Sequence, residues 1–125
     1  TPNTLIRTIK KNHPGTKLII SFHDFKKTPG DKILRNIAKK IISKGADIIK
    51  IATYANNFSD TLKVLNFLHQ LSQHHTAICL CMGRRGKLTR TAGHLFGNYL
   101  TYFALDHVSK TAKGQLTILD LKKCL

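Results

Sequence analysis

The sequence contains no glutamate, and its only acidic side chains are six aspartates. Its 21 lysine and arginine residues give a formal net charge of +15. Such a charge favours anionic partners, among which nucleic acid is the obvious class. The basic residues occur as scattered pairs, however, whereas nucleic-acid binders more often carry a basic run interleaved with aromatic residues. We therefore expect no nucleic-acid partner and keep a basic nucleic-acid-binding module as an alternative.

The chain also lacks long apolar runs and a disulfide pattern. No apolar run approaches the roughly 18 residues that a membrane span needs, so we expect no membrane partner. Of the three cysteines, Cys79 and Cys81 lie too close in sequence for an ordinary disulfide. An odd cysteine count without a secretory signal is typical of a reduced, cytoplasmic protein. His74 and His75 precede this pair without zinc-type spacing, so we expect no metal site.

Apolar strand-like runs alternate with helical patterns along the chain. The runs are residues 17–22, 47–53, 76–82 and 99–105. Helical patterns cover 5–12, 31–44, a segment with Ser59 or Asp60 as its N-cap, 88–96 and 118–123. This alternation predicts an α/β fold of parallel strands with crossover helices. About four β/α units suit a partial (β/α)8 TIM barrel, since a whole barrel usually needs about 250 residues. A small doubly wound sheet is the alternative.

Lys50 interrupts the apolar run ADIIKIAT, residues 46–53. Strand alternation places Lys50 on the same face as Ile48 and Ala52. If that face lines a barrel, Lys50 projects into the barrel mouth. Burial disfavours the charged form of an amine, and a neutral amine is the nucleophile that forms a Schiff base with a ketone or aldehyde. The structural alternative is a lysine that extends to the strand end or pairs with Asp47.

His23 ends the first run, on the same face as Ser21. In a barrel the carboxyl ends of the strands carry the active site, where a histidine can act as general acid and base. A hydrogen-bonded loop histidine is the structural alternative. The adjacent Asp24 faces the other way and is a weaker catalytic candidate.

The segment MGRRGKLTR, residues 82–90, follows the third run and contains two glycines and four basic residues. This composition suits a loop that holds an anion, with a flexible basic loop as the alternative. The turn TAKGQ, residues 111–115, follows the fourth run and offers threonine and glutamine hydrogen bonds.

Together these stretches resemble the C-terminal half of a type I 3-dehydroquinate dehydratase, the Schiff-base dehydroquinase of the shikimate pathway. The matching blocks are SFHDFKKTP (21–29), GADIIKIA (45–52), MGRRGKLTR with AGHLFG (82–97) and GQLTILDL (114–121). They occur in the family's order over essentially the whole chain. We therefore expect residues 1–125 to form the C-terminal half of a (β/α)8 barrel. A fused shikimate dehydrogenase domain, found in some family members, would lie beyond residue 125.

The resemblance implies the chemistry of two residues. Lys50 forms an imine with the ketone of 3-dehydroquinate, and His23 helps to form and break this imine and abstracts the C2 proton. Water then leaves from C1 to give 3-dehydroshikimate. The implied lyase uses a small-molecule substrate, a covalent imine and no cofactor or metal.

The resemblance also implies substrate-binding residues. Arg90 falls at the family's carboxylate-binding arginine, a bidentate task that suits guanidinium. Gln115 matches the glutamine of the last loop. The serine before that glutamine corresponds either to Thr111, which we prefer, or to Ser109.

The family's remaining active-site groups lie in its first four β/α units, including a glutamate that orients the histidine. We therefore expect the isolated segment to be inactive, and we expect a homodimer, which is common in the family. Another imine-forming barrel enzyme, such as a class I aldolase, would share the lysine but not the order His23, Lys50, Arg90 and Gln115.

Overall fold

A computed structural model describes residues 2–108, 110–111 and 114–124, apart from the side chains of Pro2 and Cys124. The strands are β1 (Ile19–His23), β2 (Ile48–Tyr54) and β3 (Ala77–Met82), and the α-helices are α1 (Pro2–Asn12), α2 (Asp31–Ser43), α3 (Phe58–Ser72), α4 (Lys87–Thr91) and α5 (Ile118–Cys124). Two 3₁₀ turns, Arg84–Gly86 and Gly93–Phe96, flank α4. Among the residues described, no helix combines the length and the apolar character that a membrane-spanning segment requires.

The three strands form one parallel sheet in the order β1-β2-β3. Both crossover helices, α2 and α3, pack on the same face of this sheet. That outer core contains Leu34, Ala38, Ile41, Ile49, Ile51, Val64, Phe67, Leu68, Cys79 and Cys81. The inner face carries a smaller apolar cluster of Ile48, Ala52, Ile78, Leu80 and Met82. A strand order without reversal and helices on one face are features of a barrel segment and not of a doubly wound sheet. The predicted parallel α/β fold is confirmed.

Helix α2, which the sequence predicted over 31–44, buries one apolar face. Leu34, Ala38 and Ile41 on that face are at most 5% exposed, whereas Ile33 is 55% exposed. Gly45 follows the helix with a φ of 85°, a left-handed conformation that glycine adopts without a steric cost. The chain therefore turns sharply from α2 into β2.

Helix α3 is capped by Asn57, so the prediction of Ser59 or Asp60 as its N-cap is wrong. Asn57 has extended backbone angles, and its side chain accepts a hydrogen bond from the backbone N–H of Asp60 at 2.9 Å. The Asp60 carboxylate accepts in turn from the backbone N–H of Asn56 at 2.9 Å. Asparagine is as good an N-cap as serine or aspartate, and this cap lies earlier in the chain.

The predicted fourth strand over 99–105 is wrong for the described residues. In that run only Ala104 makes a β-bridge, parallel to Thr117. The edge of β3 is occupied instead by the Asn98 side chain, which accepts from the Cys79 N–H at 2.8 Å and donates to the Cys79 carbonyl at 3.2 Å. The Asn98 side chain thus makes two hydrogen bonds of the kind that a neighbouring strand would make, and the Tyr99 backbone N–H makes another, to the Ala77 carbonyl at 2.9 Å.

Strand β1 forms the other edge of the sheet. Its inner-face side chains, Ile19, Ser21 and His23, are exposed, while the inner-face residues of β3 are buried. In the part of the chain that the structure describes, β2 is the only strand that pairs with β1. The inner face is therefore well covered at β3 and open at β1.

Candidate active site

A cavity of about 370 Å³ lies at the carboxyl ends of the three strands. Its lining consists of His23, Phe25, Lys50, Ala52, Leu80, Met82, Arg90, Tyr102, Thr111 and Gln115. All five preferred residues from the sequence, namely His23, Lys50, Arg90, Thr111 and Gln115, lie on its wall. Residues far apart in the chain therefore meet at one place, which is the edge of a parallel sheet where ligands generally bind.

Lys50 lies on the inner face of β2 and is half-buried. Its Nζ atom is 4.4 Å from the centroid of the Tyr102 ring, a cation–π contact that favours a positively charged group. Asp47, the carboxylate considered as a structural partner, pairs instead with Lys10 at 2.8 Å. The Lys50 amine therefore points into the cavity beside an aromatic ring.

His23 ends β1 opposite Ala52 and is exposed to the cavity. Its imidazole stacks on the Phe25 ring, with centroids 5.7 Å apart and planes 9° from parallel. Partial burial and, next, the positive charge of Lys50 lower the pKa of His23 from its ordinary value. A lowered pKa keeps the imidazole neutral at ordinary pH, and a neutral imidazole can accept a proton.

Asp24 does not line the cavity. Its Oδ1 atom accepts hydrogen bonds from the backbone N–H groups of Lys26 at 2.9 Å and Lys27 at 3.0 Å. The hydrogen bond from the Lys26 amide is the main cause that lowers the pKa of this carboxyl group. Asp24 therefore shapes the turn after β1 and stays a weak catalytic candidate.

Arg90 is 4% exposed, and its Nε atom has no hydrogen-bond partner among the described residues. Burial lowers the pKa of its guanidinium group. The preceding residue, Thr89, accepts from the Cys81 N–H at 2.9 Å and donates to the Gly86 carbonyl at 2.6 Å, so α4 is anchored to β3. A buried guanidinium that lines a cavity, and whose Nε atom has no partner among the described residues, is suited to bind an anion in a bidentate manner.

Gln115 is 5% exposed and forms the opposite part of the wall. Its Oε1 atom accepts from the Thr111 backbone N–H at 2.7 Å and from the Thr111 hydroxyl at 3.3 Å. Gly114 precedes it with a φ of 76°, and a Cβ atom there would collide with the Gly83 carbonyl oxygen. Because Oε1 is engaged, the amide N–H groups of Gln115 are left to donate to a ligand. Ser109, the alternative to Thr111, lies outside the described residues.

Sequence reasoning missed two aromatic side chains of the cavity, Phe25 and Tyr102. Phe25 comes two residues after His23 in the sequence. This closeness to a candidate catalytic residue was the only signal that could have indicated its place in the cavity. Tyr102 lies in the run that was predicted to be a strand. The apolar wall of Ala52, Leu80 and Met82 does follow from strand alternation.

The cysteine pair lies away from the cavity. Cys79 and Cys81 are both fully buried in the outer core, on one face of β3 as the alternation predicts. Burial raises the pKa of Cys79 to about 12, which makes its thiol a poor nucleophile. Within the described ranges, no three His, Cys, Asp or Glu side chains are grouped as metal ligands.

The fold and this cavity define a class of protein, the parallel β/α proteins that bind small molecules at the carboxyl ends of their strands. Comparison with known families is more specific. The model of the type I 3-dehydroquinase family matches residues 1–125. The chain belongs to this family.

Known relatives agree with this assignment. The chain is 38% identical over 121 residues to the 3-dehydroquinate dehydratase of Methanococcus maripaludis strain C5, a match that covers 97% of this chain and 54% of that protein. The 3-dehydroquinate dehydratase structure from Geobacillus kaustophilus HTA426 matches with a TM-score of 0.87 and 27% identity over 98% of this chain and 47% of that one. The type I enzyme of Clostridium difficile, solved with covalently modified comenic acid, matches with a TM-score of 0.84 and 29% identity over 98% of this chain and 48% of that one.

The chain therefore spans about half the length of the curated relatives it matches. The solved structures agree, since each is covered over about half of its chain. A match of this extent fits the predicted partial barrel.

Proposed function

We propose that this chain is part of a 3-dehydroquinate dehydratase, a hydro-lyase of the shikimate pathway that converts 3-dehydroquinate to 3-dehydroshikimate and water. The observation that carries the proposal is the meeting of Lys50, His23, Arg90 and Gln115 in one cavity. The covalently modified comenic acid in the Clostridium difficile relative supports a covalent step.

Lys50 acts as the nucleophile. His23 takes a proton from the Lys50 ammonium group, and the resulting amine adds to the substrate ketone. His23 then gives this proton to the hydroxyl of the adduct, which leaves as water, so that a protonated imine remains. The positive nitrogen withdraws electrons from the adjacent carbon and so acidifies its C–H bond. The face of the Tyr102 ring, 4.4 Å from Nζ, favours positive charge at this position.

His23 moves the protons. Its neutral imidazole takes the proton from C2, and the C–H electron pair moves toward the imine nitrogen to give an enamine. The enamine electrons return to form the C1–C2 double bond, and the C1 hydroxyl leaves as water with the proton that His23 gives back. Hydrolysis of the imine then releases 3-dehydroshikimate and restores the Lys50 amine.

Arg90 and the last loop bind the substrate. The buried guanidinium pairs with the substrate carboxylate, and the Gln115 amide with the Thr111 hydroxyl contacts substrate oxygens. The reaction needs no metal or organic cofactor, because the imine itself accepts the electrons. Before substrate arrives, hydrogen bonds hold the Gln115 side chain and anchor the helix that carries Arg90.

The site is open at β1, where His23 lies on an exposed edge. We propose that further polypeptide, of the kind that makes up the other half of the relatives, pairs with β1 and orients His23. The segment 1–125 by itself is then inactive. A homodimer and a cytoplasmic location are also part of the proposal.

Borohydride trapping tests the proposal in the full natural polypeptide that carries this chain. With 3-dehydroquinate and borohydride, mass spectrometry should find a reduced adduct on the Lys50 peptide, and Lys50→Met should give none. A His23→Ala variant should still be trapped but should not form product. Trapping with an aldol substrate and not with 3-dehydroquinate would favour a class I aldolase and reject the proposal.

A further inference from the structure

We propose a second ligand site that binds a nucleoside polyphosphate, in a cavity separate from that of Lys50. This cavity has a volume of about 510 Å³ and is lined by Phe58, Arg84, Arg85 and Lys87. None of these four residues lines the lysine cavity. Its volume lies within the range of about 300–1,000 Å³ that is typical of small-molecule pockets.

The three basic side chains of this cavity carry uncompensated charge. The ion pairs found among the described residues join other side chains and include none of the three. Asp60 is the acidic residue of α3 and lies two positions after Phe58. Its carboxylate already lies 3.7 Å from the Lys63 amine and accepts from the Asn56 N–H at 2.9 Å. The cavity therefore presents three cations that are available to an anionic ligand.

The loop that carries these cations has a fixed backbone. The Thr61 hydroxyl, fully buried, donates to the Arg85 carbonyl at 2.8 Å. The Thr89 hydroxyl, also fully buried, donates to the next carbonyl, that of Gly86, at 2.6 Å. Two buried hydrogen bonds thus hold consecutive peptide groups while the basic side chains remain exposed. A preorganised backbone lowers the cost of ordering the loop when a ligand binds.

The combination of groups indicates the class of ligand. Guanidinium groups bind phosphate in a bidentate manner, and lysine adds a point charge. Phe58 is 64% exposed in the same cavity and offers a flat apolar face on which a base can stack. A single phosphate would leave Phe58 unused. A nucleic-acid strand generally needs a track of about four or more nucleotides, which is longer than one such cavity.

Calorimetric titration of the full natural polypeptide with ATP tests this site. The buffer contains EDTA and about 0.15 M salt, because at that salt concentration interactions between exposed charges are screened beyond about 8 Å. The triple variant Arg84→Gln/Arg85→Gln/Lys87→Gln should weaken ATP binding at least tenfold. A matched control on the surface of α2 and its C-cap, Lys32→Gln/Lys40→Gln/Lys44→Gln, removes the same charge and should change the affinity less than twofold. Equal loss in both variants would mean attraction by net charge alone and would overturn the proposal.

The substitution Phe58→Ser tests whether the site recognises the nucleobase of the ligand. The unchanged protein should bind ATP more tightly than inorganic tripolyphosphate, and Phe58→Ser should remove most of that preference. Equal affinity for both ligands would overturn the nucleotide assignment, as would an oligonucleotide that binds much more tightly through the same four residues. Dehydration of 3-dehydroquinate should be unchanged in these variants, so failure of this site is distinguishable from failure of the proposed function.

Discussion

Replacement of Arg90 by methionine should raise the stability of the fold. The Arg90 side chain is 4% exposed, and its Nε atom has no hydrogen-bond partner among the described residues. A buried donor without a partner costs about 1–3 kcal/mol. Methionine is apolar, flexible and of similar length, so it can fill the same space without that cost. We expect Arg90→Met to increase the free energy of unfolding by about 1–2 kcal/mol, measured by urea denaturation of the full natural polypeptide.

The same substitution should weaken substrate binding. A hydrogen bond to a charged group contributes about 1.5–3 kcal/mol, which corresponds to a loss of about 10- to 150-fold in affinity for 3-dehydroquinate. Arg90→Lys keeps the charge and loses the two-pronged geometry, so its affinity should lie between those of the unchanged protein and Arg90→Met.

Arg35→Met is the matched stability control for this prediction. Arg35 is an exposed arginine that pairs with Asp31 at 2.8 Å, and loss of an exposed ion pair changes stability by about 0–1 kcal/mol. If Arg90→Met unfolds at a lower urea concentration than the unchanged protein while Arg35→Met does not, the Arg90 side chain stabilises the fold. The claim that the unpartnered Nε donor of Arg90 costs stability would then be refuted.

Four further predictions concern the cavity and its walls. In Lys50→Met the pKa of His23 should rise toward its ordinary value, because the lysine charge is one of the two causes that lower it. An NMR titration of the imidazole that finds no rise would contradict the electrostatic interaction between Lys50 and His23. In the parent protein, activity that depends on neutral His23 should fall as pH drops through the lowered pKa. Tyr102→Leu should slow imine trapping by about 2- to 5-fold whereas Tyr102→Phe should not, and equal loss in both would argue against the cation–π contact. Gly114→Ala should lower the unfolding free energy by more than about 1 kcal/mol, because of its φ of 76° and a clash with a neighbouring carbonyl. Gly15→Ala, with nothing within 4 Å, is its control, and similar urea midpoints for the two variants would contradict the clash.

The position of Lys50 could be predicted because strand alternation is a local property. In a buried parallel strand the side chains of Ile48, Lys50 and Ala52 must share one face, whatever the rest of the fold does. The structure has them on the inner face, beside the cavity. Alternation alone could not decide between a barrel and a doubly wound sheet. That choice depends on the face to which both crossover helices return.

The run 99–105 shows where pattern reasoning fails. Its apolar residues satisfy a strand pattern, yet at Cys79 the Asn98 side chain makes the two hydrogen bonds at the β3 edge that such a strand would need. Competition between a side-chain amide and a strand is not visible in an apolar pattern. The same holds for the basic loop 82–90, in which only the Thr89 hydrogen bonds explain why Arg90 faces the cavity.

The two sides of the candidate active site differ in how deeply their side chains are buried and in how firmly hydrogen bonds hold them. Arg90 and Gln115 are nearly fully buried, and hydrogen bonds of the neighbouring Thr89 and Thr111 position them. His23 is exposed on the edge strand β1, where the stacked Phe25 ring is its main contact. Binding an anion requires only that charged and hydrogen-bonding groups face it. Proton transfer is more demanding, because the base must lie within about 3 Å of the group whose proton it takes. Substrate recognition should therefore depend mainly on Arg90, Thr111 and Gln115, and turnover mainly on how precisely His23 is held at the edge strand β1.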